Sequence, residues 1–169
     1  MTASKQDHWL QSLQKQLAAQ RPFQLLPEEE LSAWLNDAKK INFSTGELLL
    51  RPDELSDSIF LVLQGNVRLI GMGDGVDLYG QISLDKRGPG QLLGWIGLLR
   101  GEACEYVLAS NDVFVLGLPS ARFIHLFLKY PDFAKYFYEL ENPQETYVVA
   151  SSFAELQPKH EEAWKKEML

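Results

Sequence analysis

The chain has 169 residues, a formal charge of −7, 46% hydrophobic and 23% charged residues, the make-up of one soluble domain with terminal extensions. A pI near 5.0 argues against a nucleic-acid partner, because phosphate binding draws on clustered Lys and Arg. One cysteine, Cys104, excludes an intramolecular disulfide and any multi-cysteine metal site. Residues 1–20 lack the apolar core of a signal peptide, and no run approaches the ~20 apolar residues of a membrane helix. The expectation is a cytoplasmic segment with no membrane insertion of its own.

In chain order, Trp9, Leu10, Leu13 and Leu17 form an apolar stripe at helical spacing. Arg21-Pro22 breaks it. Pro27-Glu28-Glu29-Glu30 opens a second helix, with carboxylates at the positive dipole end and Leu31, Trp34, Leu35 and Ala38 on its buried side. This helical flank is expected to run to Lys40.

Eleven of the twelve glycines fall between Gly46 and Gly101, punctuating short apolar runs as in an all-β unit. Strands are predicted at Glu47–Leu50, Ser58–Leu63 and Asn66–Met72. A hairpin turn at Gly73-Asp74-Gly75 leads into a period of two over Leu78–Asp85. Tyr106–Ala109 and Val113–Leu116 follow, joined at Ser110-Asn111-Asp112. From Pro119 the pattern is helical again, with Phe123, Leu126, Phe127 and Tyr130, then Phe133 and Phe137 after Pro131. Asn142-Pro143 breaks the chain before a helix over Tyr147–Leu156 and a charged tail.

Catalytic constellations are absent from the pattern. His8, His125 and His160 lie far apart in the helical flanks, and His160-Glu161 lacks the second histidine of a zinc-protease motif because Trp164 stands there. No nucleophile elbow or phosphate-binding P-loop occurs, and Cys104 has no histidine neighbour, so a buried inert thiol is expected. The expectation is a non-enzyme with neither metal nor cofactor. One segment stands out: Gly88-Pro89-Gly90-Gln91-Leu92-Leu93-Gly94-Trp95-Ile96-Gly97-Leu98-Leu99 reads as a strand, a tight turn, a second strand and, after Gly94, a short apolar helical turn. Backbone N–H groups after Gly94 would then face an anion.

The order of landmarks resembles the cyclic-nucleotide-binding domain superfamily. Those landmarks are Thr45-Gly46-Glu47, Leu63-Gln64-Gly65-Asn66-Val67, the Gly88–Gly94 segment, Val107-Leu108-Ala109 and Val113–Leu116. The resemblance implies a mainly β fold, an eight-stranded jelly-roll β-barrel with N- and C-terminal α-helices, in which Gly46, Gly65 and Gly90 are structural. It implies domains at 1–21 (helical extension), 22–137 (the roll) and 138–169 (a helical segment leading into a further domain). It also implies a phosphate-binding cassette that in nucleotide-binding members reads Phe-Gly-Glu, a short helix, then Pro-Arg-x-Ala.

Here Trp95 stands at the glutamate position and Ala103 at the arginine position. Hydrogen bonds to charged groups contribute about 1.5–3 kcal/mol each, so losing two weakens binding roughly 10²- to 10⁴-fold. Glu102 and Glu105 add negative charge nearby. Gly94, Trp95, Ile96, Arg100, Ala103 and Cys104 are the candidate pocket residues. Arg100 with the amides after Gly94 forms the alternative site for a phosphate ligand.

The expected function is a regulatory or sensor domain that does not take up cAMP or cGMP tightly. By resemblance it belongs to a larger protein such as a bacterial toxin- or bacteriocin-secretion ABC transporter, whose other domains would be its partners. A transcription-regulator fragment is a further alternative, although the 32 residues after Phe137 are too few for a DNA-binding module. Phe123, Phe127, Phe133 and Phe137 are expected to seal the last helices against the roll. Tyr147, Val148, Val149, Phe153 and Leu156 suggest a homodimer through the C-terminal helix.

Overall fold

The structure, a computed structural model, describes residues 5–72 and 81–140. The predicted turn at Gly73–Gly75, the start of the following strand at Leu78, and everything from Asn142 onward, including the proposed dimer helix, lie outside the described residues. Helix α1 (Lys5–Ala18) turns its apolar stripe toward the domain, with Leu17 buried and Trp9 tilted against Phe114, the Lys40 ammonium lying over its ring. A 3-10 turn at Phe23–Leu25 leads to α2 (Glu28–Asn36). Pro27 sits just before α2, so its missing N–H leaves no helical bond unmade.

Strand β1 (Lys39–Phe43) replaces the end of the predicted helical flank. Lys39 and Lys40 masked it, because both are exposed. They sit on an edge strand paired on one side with β8 (Val113–Pro119), and charged residues on an edge discourage pairing with foreign chains. Between them come β2 (Leu48–Leu50), β3 (Ser58–Gln64), β4 (Val67–Met72), β5 (Gln81–Arg87), β6 (Leu92–Leu93), α3 (Trp95–Arg100) and β7 (Val107–Ala109). Helices α4 (Ser120–Lys129) and α5 (Pro131–Leu140) follow the last strand.

The eight strands form two four-stranded antiparallel sheets, β1-β8-β3-β6 and β2-β7-β4-β5. The fold is the expected jelly-roll type with flanking helices, but among the described residues the two sheets do not join into one closed barrel. Edge strands β6 and β2 have two and three residues, too short to carry the ladder across to the facing sheet.

The sheet containing β3 is buried on both faces. Phe60 and Val62 point between the sheets, with Leu49, Val67, Leu69, Val107 and Val115. Ile59 and Leu61, one residue out of phase, pack with Leu116 and Leu118 against Trp34, Phe123, Phe133 and Phe137 of the helices. A strand covered on both sides carries an unbroken apolar run instead of an alternating one, which is what Ser58–Leu63 shows. At the end of β3, Gly65 has φ +86°, and a Cβ there would stand 2.3 Å from the Asp112 carbonyl. Two turns nest at this point, joined by Asn66 N–H donating to Asn111 Oδ1 at 2.8 Å.

Candidate functional site

The corner between β6 and β7 is built from short-range rules. Gly94 takes φ +94°, a left-handed backbone that favours glycine, and redirects the chain from β6 into the six apolar-rich residues of α3. Gly101, at φ 71°, closes that helix. The chain then returns beneath α3, with the Glu102 N–H donating to the Gly97 carbonyl at 3.0 Å. The approach is close: a Cβ on Gly97 would lie 3.1 Å from the Glu102 carbonyl oxygen. This return path delivers Glu105 to the start of the helix.

Glu105 is 7% exposed. Its Oε1 accepts from the Gly94 N–H at 3.4 Å and its Oε2 from the Gly97 N–H at 3.3 Å. Burial pushes its carboxyl up to about 7, against the downward pull of the two amides and of Arg87. The backbone donors that the sequence pattern offers to an anion therefore hold an anionic group of the chain itself.

Beside Glu105 lies a cavity of about 400 Å³ between this corner, β4–β5 and α5. Leu69, Trp95, Ile96, Phe137 and Leu140 supply apolar wall, and Arg87, Gln91 and Glu139 supply polar groups. The Trp95 ring is buried against Phe137, 5.1 Å between centroids. The Arg87 guanidinium bonds Asp85 at 2.8 Å, and the Gln91 Oε1 accepts from the Gly88 N–H.

Of the residues singled out from sequence, Gly94, Trp95 and Ile96 meet at the cavity or at Glu105. Arg100 is exposed at the far end of α3, and neither it, Ala103 nor Cys104 is among the described residues lining the cavity. Ala103 is half-buried and Cys104 buried in the return segment. The cation at the cavity is Arg87, which sequence reasoning missed: it comes from the end of β5, paired with Val67, and carries no local motif. Glu105 was visible only as nearby negative charge. Gly46, Gly65 and Gly90 all take positive φ. Among the described residues no His/Cys/Asp/Glu group could hold a metal ion, and no helix is long and apolar enough to cross a membrane.

This corner is a short helix between the sixth and seventh strands, where the resemblance leads one to expect the cassette. The sequence matches the cyclic nucleotide-binding domain family over residues 40–130, and the chain belongs to that family, whose domains are regulatory and sensory, not catalytic.

Among solved structures, the chain is similar to the sensor domain of the transcriptional regulator DNR from Pseudomonas aeruginosa (TM-score 0.66, 12% identity, 78% of this chain and 87% of that one). It is also similar to the regulatory domain of Toxoplasma gondii PKA with cAMP (0.65, 18%, 79% and 51%). A third is a mutant regulatory subunit of a cAMP-independent protein kinase A from Trypanosoma brucei, bound to cAMP in its A site (0.58, 18%, 79% and 52%). The chain spans about half the length of the two kinase regulatory proteins. At these identities the likeness is one of fold. No curated protein sequence matches the chain.

Proposed function

We propose that this domain is a non-catalytic regulatory module of the cyclic nucleotide-binding type that does not take up cAMP or cGMP tightly, because its own Glu105 holds the cassette amides. The carrying observation is the pair of contacts from Gly94 N–H and Gly97 N–H to the Glu105 carboxylate. An incoming phosphate would have to displace a buried group of like charge. Trp95, at the position where the family's nucleotide-binding members carry glutamate, is packed against Phe137 and offers no acceptor for a ribose hydroxyl.

The Trypanosoma brucei relative supports this reading. It is the regulatory subunit of a cAMP-independent protein kinase A, seen with cAMP in its A site in a mutant with glutamate-to-alanine, threonine-to-arginine and valine-to-alanine substitutions. The module would act in the cytoplasm through other domains of a parent protein, for which we propose a toxin- or bacteriocin-secreting ABC transporter. A transcript that joins this chain to a transporter ATPase would support that context, and one that joins it to a DNA-binding module would refute it.

Thermal melting with millimolar cAMP, cGMP and cyclic dinucleotides tests the ligand reading. A ligand present at ~100 times its dissociation constant stabilises by about 2.7 kcal/mol, a shift of several degrees. No shift is expected. A clear shift with cAMP or cGMP overturns the proposal.

A further inference from the structure

The charges on the cavity wall are unequal in their surroundings. Arg87 is tied to Asp85 at 2.8 Å and Glu139 to Lys135 at 3.8 Å, so each has a counter-ion outside the cavity lining. Glu105 is more than nine-tenths buried and held by two amide hydrogen bonds of 3.3 and 3.4 Å. A carboxylate offers about four lone-pair sites, of which these two amides, at the long end of the N–H···O range, take two. The group is thus desolvated and under-coordinated on the wall of a cavity of about 400 Å³. Its raised carboxyl, near 7, agrees with that geometry. Arg87 acts on it through charge but bonds Asp85, so the carboxylate can still take a charge-bearing donor. The neighbouring surfaces of Trp95, Ile96, Leu69 and Leu140 are apolar.

We propose that this cavity binds a small organic cation, its apolar body against Trp95, Ile96 and Leu140 and its protonated amine or amidine on the Glu105 carboxylate. This rests on the reading that Glu105 holds the place of the anion; it adds the chemical class of ligand that a pocket so altered accepts. Burial is what discriminates between the wall's two signs: Arg87 is partly exposed and already bonded to Asp85, whereas the Glu105 carboxylate is buried, so a cation meets its counter-ion in the lower dielectric.

The test uses benzamidine as the cation, with benzoate and benzyl alcohol as anionic and neutral counterparts, titrated by calorimetry at pH 8. Saturable benzamidine binding with a dissociation constant of about 1 mM or lower is expected, at least ten times tighter than benzoate or benzyl alcohol. The near-isosteric Glu105→Gln variant should lose a factor of about 10–100.

An unmutated control comes from pH. Between pH 8 and 5.5 benzamidine stays protonated while Glu105 takes up a proton, so affinity should fall about ten-fold or more. Arg87 and Asp85 on β5, Tyr136 and Glu139 on α5, and the adjacent Cys104 also face or border this region. All are retained in Glu105→Gln, so a pH profile that persists in the variant belongs to them and overturns the proposal. Benzoate binding as well as benzamidine, or undiminished binding by Glu105→Gln, does the same. A parallel cAMP titration separates the two readings. Tight cAMP binding removes both, and failure of benzamidine and cAMP together removes this one alone.

Discussion

The Trp95 indole meets the Phe137 ring edge-on, 5.1 Å between centroids and 61° between planes, and so joins the cassette helix to α5. Phe137 is 1% exposed and also stacks on Phe123 and Phe133, each at 5.0 Å. The aromatic seal expected over the roll is therefore one connected cluster, with Trp95 as its member from the cassette. The corner around Glu105 and α5 thus share one packed core through this pair.

Truncating Phe137 to alanine removes a fully buried ring from that junction. Such changes cost about 3–5 kcal/mol. Urea unfolding followed by circular dichroism should show the loss as a lowered midpoint at constant slope. A change below about 1 kcal/mol would mean that α5 is not held through this ring.

Glu105 makes stability depend on pH in the opposite sense from a salt-bridged carboxylate. Its carboxyl stands near 7 in the folded chain, against an ordinary value of 4.5, because burial penalises the charge. The folded state therefore binds the proton more tightly than the unfolded state. This contribution is fully present below pH 4.5 and is lost as pH rises through about 7. At about 1.4 kcal/mol per pH unit the loss is about 3 kcal/mol. Glu105→Gln, which cannot ionise, should lack that decline when the two proteins are unfolded in urea from pH 4.5 to 8. Parallel profiles for the two would show that the carboxyl titrates normally.

Much of the roll could be read from residue order, because its elements follow local rules. The unbroken apolar run of β3 and the helix opening at Pro27 point to their elements directly. The helical spacing of Phe123, Leu126, Phe133 and Phe137 also survives in the structure, where all four are buried. Strand β1 could not be read, since Lys39 and Lys40 look like a solvated helix end until pairing with β8 is known. The site was legible only in part. Gly94 and Trp95 announce a corner. Which group fills that corner depends on how the four residues Gly101–Cys104 turn back under α3, and on Arg87 arriving from another strand. Neither relation is periodic, and neither leaves a motif.

Two glycines with nearly the same φ separate backbone strain from crowding. At Gly46 (φ +88°) a Cβ would meet nothing within 4 Å, whereas at Gly65 (φ +86°) it would stand 2.3 Å from the Asp112 carbonyl oxygen. Gly46→Ala should cost about 1–2 kcal/mol for the left-handed backbone alone. Gly65→Ala adds overpacking of about 1–3 kcal/mol, since the obstacle is backbone and cannot swing away. Thermal or urea midpoints of the two variants should rank Gly65→Ala clearly lower. Equal midpoints would show that the nested turns open freely.

The strongest test of Glu105 as the group that holds the cassette is to remove it and supply a cation. Glu105→Ala frees the Gly94 and Gly97 amides of their carboxylate, and Ala103→Arg places a guanidinium at the position that the resemblance matches to the arginine of nucleotide-binding members. Ala103 is half-buried, so a long side chain there can reach past the surface without displacing core. One restored charge-assisted hydrogen bond contributes about 1.5–3 kcal/mol, a gain of roughly ten- to a hundred-fold in cAMP affinity. Removing the like charge adds to it. Calorimetric titration should therefore find cAMP binding strengthening from wild type to Glu105→Ala and again to the double variant. If the double variant folds and binds cAMP no better than wild type, the obstacle lies in Trp95 and its packing on Phe137 instead of in Glu105.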